Sequence, residues 1–258
     1  MKTSVYLTAI LLFGTAVTQA QTTIKQANIP SANPDNAEVF APIPKAVVPG
    51  NTFSNAPSDA IILFDGKNLD EWISEDKSPA KWTVADGIVT VNKKAGDIET
   101  KRQFNSYQLH LEWRIPADIT GEGQARGNSG VFLSGRYEIQ VLDNYNNENK
   151  TYTNGMAGSV YREAIPLVNP AKKAGEWNVY DIAYSAPEFN EDGSVKAPGH
   201  VTVFFNGIMV QNNTEIRGGT STDKKHVYVK HGAAPLRLQA HGDKSAPISY
   251  RNIWIREE

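Results

Sequence analysis

Cysteine is absent from this 258-residue chain. That excludes a disulfide framework, a Cys-ligated metal, a thiol nucleophile and a lipid-modified amino-terminal cysteine. Long apolar runs are also lacking: no segment offers the roughly 18 uninterrupted apolar residues of a membrane-spanning helix. Nor does charge of one sign dominate. The chain holds 26 basic and 28 acidic residues, a net −2, and losing Lys2 with the first twenty residues would leave −3. A mildly acidic protein has no electrostatic reason to bind nucleic acid or an anionic membrane. Helical periodicity is missing too, since no long segment repeats apolar residues at 3.6 spacing between caps. A chain without covalent staples needs a core of its own, and about 200 residues suffice to build one.

The amino terminus reads as a targeting signal. Lys2 supplies the charge, Tyr6 to Val17 the apolar run, and Thr18-Gln19-Ala20 the small-residue end that signal peptidase accepts. The expectation is an exported, periplasmic or extracellular protein with a cleaved segment 1–20. Residues 21–58 lack periodicity and carry Pro30, Pro34, Pro42, Pro44, Pro49 and Pro57, the composition of a flexible leader. The domain is expected over 59–258.

From Ile61 onward the signals are strands. Trp82–Val84 and Ile88–Val91 flank an Asp86-Gly87 turn, and Val201–Phe205 and Ile208–Gln211 flank Asn206-Gly207, the strongest short-range hairpin signal. Tyr107 to Ile115 alternates, with Leu109, Leu111, Trp113 and Ile115 on one face and His110, Glu112 and Arg114 on the other. Residues 128–143, NSGVFLSGRYEIQVLD, read as two strands in which Glu138 and Gln140 oppose Tyr137, Ile139 and Val141. Leu236–Ala240 and Ile248–Ile255 close the series. Many short strands with regular turns predict an all-β jelly-roll sandwich of two antiparallel sheets.

Three strands share a polar face rich in bidentate hydrogen-bonding groups. One shows His110, Glu112 and Arg114, one Glu138 and Gln140, and one Arg237, Gln239 and His241. If the strands are neighbours, these side chains form one surface suited to vicinal hydroxyls. Taken singly, each strand fits a solvated outer face.

Several segments carry a family likeness. They are Leu63–Leu69 with Trp72 (LFDGKNL…W), Trp82–Gly87, Leu111–Arg114 (LEWR), Gly127–Phe132 (GNSGVF) and Tyr137–Asn144 (YEIQVLDN). Gly175–Tyr180, Val203–Gly207, Leu238–Gly242 and Tyr250–Arg256 follow in order. Over residues 61–258 the chain resembles the 3-keto-disaccharide hydrolase family, also known as 3-keto-glucoside lyases. The resemblance implies a concanavalin A-like jelly roll and chemistry on glycosides oxidised at carbon 3. The ketone acidifies the carbon-2 hydrogen. Removing that proton lets the group on carbon 1 leave by elimination, with hydration of the glucal as a following step. Such a site needs a base, a stabiliser for the enolate oxygen and an acid for the leaving oxygen.

On that resemblance Glu138 is the expected base and His241 the acid, with Arg114 or Arg237 holding the enolate. Asn128, Gln140 and Gln239 are expected on substrate hydroxyls, with Glu112 and Asp143 as further binding residues. Asn128 and Asp143 also suit turns, and Glu112 also suits pairing with an arginine across the sheet. A divalent metal held by His110, Glu112, Glu138 and His241 would supply a Lewis acid, although no local metal motif exists. The family commonly has Asp before its HG pair; here that position is Ala240, which removes one partner for His241. The resemblance also implies a separate oxidoreductase that makes the 3-keto substrate. Two other readings stand beside it: a non-catalytic, lectin-like carbohydrate-binding module, and an ordinary two-carboxylate glycoside hydrolase on the same fold.

Overall fold

The computed structural model describes residues 41–222 and 225–258. The expected signal segment, and residues 21–40 of the expected leader, lie outside the described residues. The chain divides into two units, 1–46 and 47–258, and the second holds the strands.

In chain order these are β1 (Ile61–Phe64), β2 (Trp72–Ser74), β3 (Thr83–Ala85), β4 (Ile88–Thr90), β5 (Ile98–Thr100), β6 (Tyr107–Arg114), β7 (Ser129–Leu133) and β8 (Tyr137–Val141). They continue with β9 (Trp177–Ser185), β10 (Glu188–Phe189), β11 (Val195–Ala197), β12 (His200–Phe205), β13 (Ile208–Glu215), β14 (Arg237–Leu238) and β15 (Ser249–Glu257). Among the described residues the only helices are short 3₁₀ turns. Among those residues no helix is long and apolar enough to cross a membrane.

The larger sheet runs β13-β12-β9-β6-β15-β4-β3, with β1 also pairing β15. The smaller runs β2-β5-β14-β7-β8, and β10 and β11 form a separate ribbon. All pairings are antiparallel. This is the expected two-sheet sandwich. Both predicted hairpins form: Asp86-Gly87 and Asn206-Gly207 all have positive φ, as the primed turns that match strand twist require.

One apolar cluster fills the space between the sheets. Leu109, Leu111 and Trp113 enter it from β6, Tyr180 and Ile182 from β9, Val131 and Leu133 from β7, and Ile139 and Val141 from β8. Because both sheets turn their apolar faces inward, their polar faces point in opposite directions. That fact decides which candidate residues can meet.

The domain starts earlier than the proline content suggests. Residues 47–58, assigned above to the leader, close on themselves through Val48 and Ser58, whose backbones and the Ser58 hydroxyl bond at 2.9 and 3.0 Å. They also dock on β15: the Ser54 carbonyl accepts from Asn252 Nδ2 at 2.7 Å and from Trp254 Nε1 at 3.1 Å.

Candidate active site

Register on the smaller sheet builds the site. Arg237 pairs with Glu99 on one side and Phe132 on the other, and Phe132 pairs with Glu138. Beyond β8, residues 158–161 act as one more short edge. Gln140 N donates to the Ser159 carbonyl at 3.1 Å, Gly158 N to the Gln140 carbonyl at 3.0 Å and Tyr161 N to the Glu138 carbonyl at 3.0 Å. Leu238, Val131, Ile139 and Val160 all enter the core. Their alternating neighbours therefore face outward in two rows. The first row is Glu99, Arg237, Phe132, Glu138 and Tyr161. The second is Gln239, Gly130, Gln140 and Ser159, since Gln239 N donates to the Gly130 carbonyl at 3.0 Å and Gly130 pairs with Gln140. The ladder ends there, and His241 follows two residues on.

Glu138 is the chemical centre of this face. Its carboxyl lies over Gly130: a Cβ there would sit 2.4 Å from Glu138 Oε1 and 2.7 Å from Phe132 Cε2. Only glycine leaves that space. Glu138 is 4 % exposed, and no hydrogen-bond donor among the described residues reaches its carboxyl. Burial penalises the charged form and pushes its pKa up to about 8, against the attraction of Arg237 and with a smaller push from Asp97. A carboxyl that ionises near neutrality with both oxygens unpartnered is equipped to move protons.

The surrounding acceptors are similarly unused. Asn128 Oδ1, Gln239 Oε1 and Ser159 Oγ are buried without partners among the described residues, so the face favours a ligand rich in hydroxyl donors. Gln124, which the sequence did not single out, gathers this region. Its Oε1 accepts from Gln140 Nε2 at 2.8 Å and its carbonyl from Asn128 Nδ2 at 2.8 Å, while its Nε2 donates to the Gly155 carbonyl at 2.9 Å.

His241 stands at the end of the rows, one-third exposed, with Nδ1 2.7 Å from Asp243 Oδ2. That contact orients the ring and leaves Nε2 to face outward. Burial opposes the Asp243 charge, but hydrogen bonds from Ser245, His241 and Lys93 outweigh it and hold its pKa below the usual value. Asp243 thus supplies the partner that Ala240 cannot.

Several expectations are corrected. Arg114 and Glu112 do not join the site, because β6 belongs to the larger sheet and their face is the opposite one. There Glu112 is paired directly across from Arg251, bonded to it at 2.7 Å and to Asn252 Nδ2 at 3.0 Å. Burial resists its charge, yet bonds from His110, Asn252 and Arg251 draw its pKa down to about 2. Arg114 lies 4.6 Å from the Trp177 ring centroid, on which Arg251 also rests at 4.2 Å. His110 is on this face too, 2.6 Å from Asp181 and stacked on Trp254.

The four suggested metal ligands are consequently split between two faces. Among the described residues no three His, Asp or Glu side chains are grouped to hold an ion.

Arg237 lies one strand beyond Phe132 from Glu138 and acts on it through charge, with two of its N–H groups engaged elsewhere. Nη1 is 2.7 Å from Asp97 Oδ2, Nη2 donates to the Gly135 carbonyl at 3.2 Å, and the guanidinium lies 3.9 Å over Phe132. It supports the floor of the site. Asp143 bonds Arg126 at 2.7 Å and lines a cavity of about 800 Å³ with Glu122, Glu148 and Lys150. That cavity, larger than any other described, does not include Glu138; buried unpartnered chemistry identifies the site better than volume. A smaller cavity of about 210 Å³ does adjoin it, lined by Phe132, Thr220, Val227 and Arg237 among others.

The 3-keto-alpha-glucoside-1,2-lyase-like domain family matches residues 59–256. The chain belongs to this family. A 3-keto-disaccharide hydrolase of Bacteroides thetaiotaomicron is 29 % identical over 160 residues, 47 % of this chain and 52 % of that protein, so the chain spans about half the length of that relative. A crystal structure from Parabacteroides distasonis, provisionally assigned as a glycosyl hydrolase, is 55 % identical with a TM-score of 0.83. The match covers 86 % of this chain and 95 % of that one. A second structure from the same organism, at 18 % identity and TM-score 0.56 over 77 % of this chain and 94 % of its own, shares the fold. Family and fold together make this a member of a carbohydrate-active family.

Proposed function

We propose that the protein is an exported enzyme that cleaves the glycosidic bond of 3-keto-glucosides or 3-keto-disaccharides by elimination across carbons 1 and 2. The observation that carries this is Glu138, a buried carboxyl with no hydrogen-bond partner among the described residues and a pKa pushed up to about 8. Glu138 takes the proton from carbon 2. The C–H electron pair forms the carbon 2–carbon 3 double bond, and the carbonyl pair moves to the carbon-3 oxygen. When the enolate collapses, the ketone reforms and carbons 1 and 2 become doubly bonded. The carbon-1–oxygen bond then breaks with its electron pair on the aglycone oxygen. His241 protonates that oxygen through Nε2. The products are a 2-hydroxy-3-keto-glucal and a free alcohol, with no net redox change. Water added to the glucal completes a formal hydrolysis.

Hydrolysis through an oxocarbenium ion needs two carboxyl groups, about 5–5.5 Å apart in retaining enzymes and about 6.5–9.5 Å apart in inverting ones. Glu112 is on the opposite face, and Asp97 is committed to Arg237 and to the Ala240 N–H at 2.7 Å each. Elimination requires one base, which Glu138 can supply. The match to a family described by 3-keto-α-glucoside lyase chemistry supports the same reading. The substrate chemistry requires an oxidoreductase upstream that converts a sugar C3–OH to the ketone.

The test is aglycone release from 3-keto-trehalose and a p-nitrophenyl 3-keto-glucoside. The wild type should turn over and Glu138→Gln should lose at least about 10²-fold, the scale of one general base. Binding without turnover by the wild type would favour the lectin-like module instead.

A further inference from the structure

The register divides the ground around Glu138 by chemistry. On the side away from the β7–β8 turn stands the second row, with Gln239, Gln140 and Ser159. That row, with Asn128 one step further along β7, supplies the buried oxygen acceptors that sugar hydroxyls need. On the side towards the turn lies the cavity of about 210 Å³. Its lining is of another kind. Phe132, Val227 and Val229 give apolar surface, Arg136 and Arg237 give guanidinium groups, and Thr220 gives one hydroxyl. Among the described residues that line it there is no carboxylate and no side-chain amide. A cavity below the roughly 300–1,000 Å³ of drug-sized sites suits one small ring.

The apolar wall is held in place. Glu138 N donates to Thr220 Oγ1 at 2.9 Å, and Thr220 N to the Arg136 carbonyl at 2.9 Å, which lays Thr220 along the edge of β8. Gly219 N donates in turn to the Val227 carbonyl at 3.0 Å. The two backbones approach closely here: a Cβ on Gly218 would sit 2.4 Å from Val227 N. Between the valines, the Tyr228 hydroxyl bonds the Ile216 carbonyl and accepts from Gly199 N, and its ring packs on Tyr137. Val227 and Val229 alternate with that anchor and are 60 % and 59 % exposed. A lone exposed valine means little. Two on a fixed backbone, sharing a cavity with Phe132 beside the reactive carboxyl, make an apolar recess.

We propose that this cavity is the aglycone subsite and that it takes an aromatic ring, so that the preferred substrates are 3-keto-glucosides of aromatic alcohols and not of a second sugar. This rests on the elimination reading given above and narrows it. The glucosyl ring lies over the second row, where its hydroxyls meet the Gln, Asn and Ser acceptors, and the bond to be cleaved lies between the two sides, at Glu138. A second sugar in the cavity would bring hydroxyl donors to a wall with few acceptors, at the cost of their hydration. An aromatic ring gains by covering the valine methyl groups and by contact with guanidinium planes, as Phe132 already does under Arg237 at 3.9 Å.

The test compares methyl and benzyl 3-keto-glucosides, in both anomers, with a 3-keto-disaccharide of matching linkage. The benzyl compound is chosen because its leaving group is an ordinary alcohol, so a preference for it reports the subsite and not the acidity of the aglycone. The wild type should show a benzyl KM about tenfold or more below those of the methyl glucoside and the disaccharide. The double variant Val227→Ser, Val229→Ser should cut the benzyl advantage over methyl by about threefold or more. Val227→Phe, apolar but large enough to fill the recess, should cut it as well, and thermal unfolding of the same preparations checks that each variant is folded. An active wild type with benzyl and methyl KM values within twofold would overturn this inference alone. So would a lower KM for the disaccharide than for the benzyl glucoside, or a benzyl advantage that survives in both folded variants. A wild type inert on every 3-keto substrate would overturn the elimination reading and this inference together.

Discussion

Replacing Glu138 by Gln should stabilise the protein in alkali while abolishing its activity. The native pKa is about 8 against 4.5 for an ordinary glutamate, so the folded state binds a proton more tightly than the unfolded chain. Such a group leaves stability intact below about pH 4.5. Between there and about 8 it withdraws stability progressively, because the unfolded chain gains by ionising while the buried native carboxyl keeps its proton, and above about 8 the loss is complete. At 1.36 kcal/mol per pH unit that interval corresponds to at most about 5 kcal/mol. Water penetration and small shifts of Phe132 or Tyr161 will reduce it. For a domain of this size each kcal/mol moves Tm by roughly 2–4 °C, so a gain of at least about 5 °C is expected. The assay is thermal unfolding of both proteins from pH 5 to 9. Other groups titrate in this range, among them Glu163, whose burial outweighs its Arg217 and His226 contacts and raises its pKa. Taking the difference between the two profiles isolates Glu138. The variants should lie closest at pH 5, diverge steadily up to about pH 8 and keep a constant gap above it, with Gln the more stable. Parallel profiles across the range would refute the claim that Glu138 is a proton-hungry carboxyl in an apolar setting.

Three other outcomes follow from the same geometry. As a base Glu138 must be ionised, so kcat/KM should climb about tenfold per pH unit below about 8 and level off above it; a falling limb there would make Glu138 the acid. Gly130→Ala drives a methyl group against the Glu138 carboxyl and the Phe132 ring. It should cost about 1–3 kcal/mol in denaturant unfolding and about 10²-fold in rate through misplacement of the base. Glu112→Ala leaves Arg251 without its carboxylate, while His110 keeps Asp181. Because Arg251 is 41 % exposed, the loss should be about 1–3 kcal/mol, below that of a fully buried pair. Turnover should be unchanged, and a large loss of kcat would return Glu112 to the site.

Much of the fold was legible because alternation declares which side chains of a strand share a face. The polar and apolar sets of β6 and β8 are as the pattern predicts, and both primed turns carry the residues they need. Alternation does not say which sheet a strand joins. The polar faces of β6 and β8 look alike in sequence because both face away from a common core, and they diverge in space for that same reason. This is why Glu112 and Arg114 were grouped with Glu138. The depth of Glu138 depends on Gly130, which faces it diagonally from the adjacent strand, a relation no local pattern contains. The partner of His241 was legible two residues downstream at Asp243, while the family comparison directed attention upstream to Ala240. The edge formed by residues 158–161 arises from long-range pairing inside a loop, so it does not announce itself in sequence.

The central claim is that this site removes a proton from carbon 2 of a 3-keto sugar. Its most direct measurement is aglycone release from a p-nitrophenyl 3-keto-glucoside carrying hydrogen or deuterium at carbon 2, beside the unoxidised glucoside. The account predicts release from the 3-keto compound alone, slowed several-fold by deuterium. Equal release from the unoxidised glucoside, with no sensitivity to the label, would contradict it.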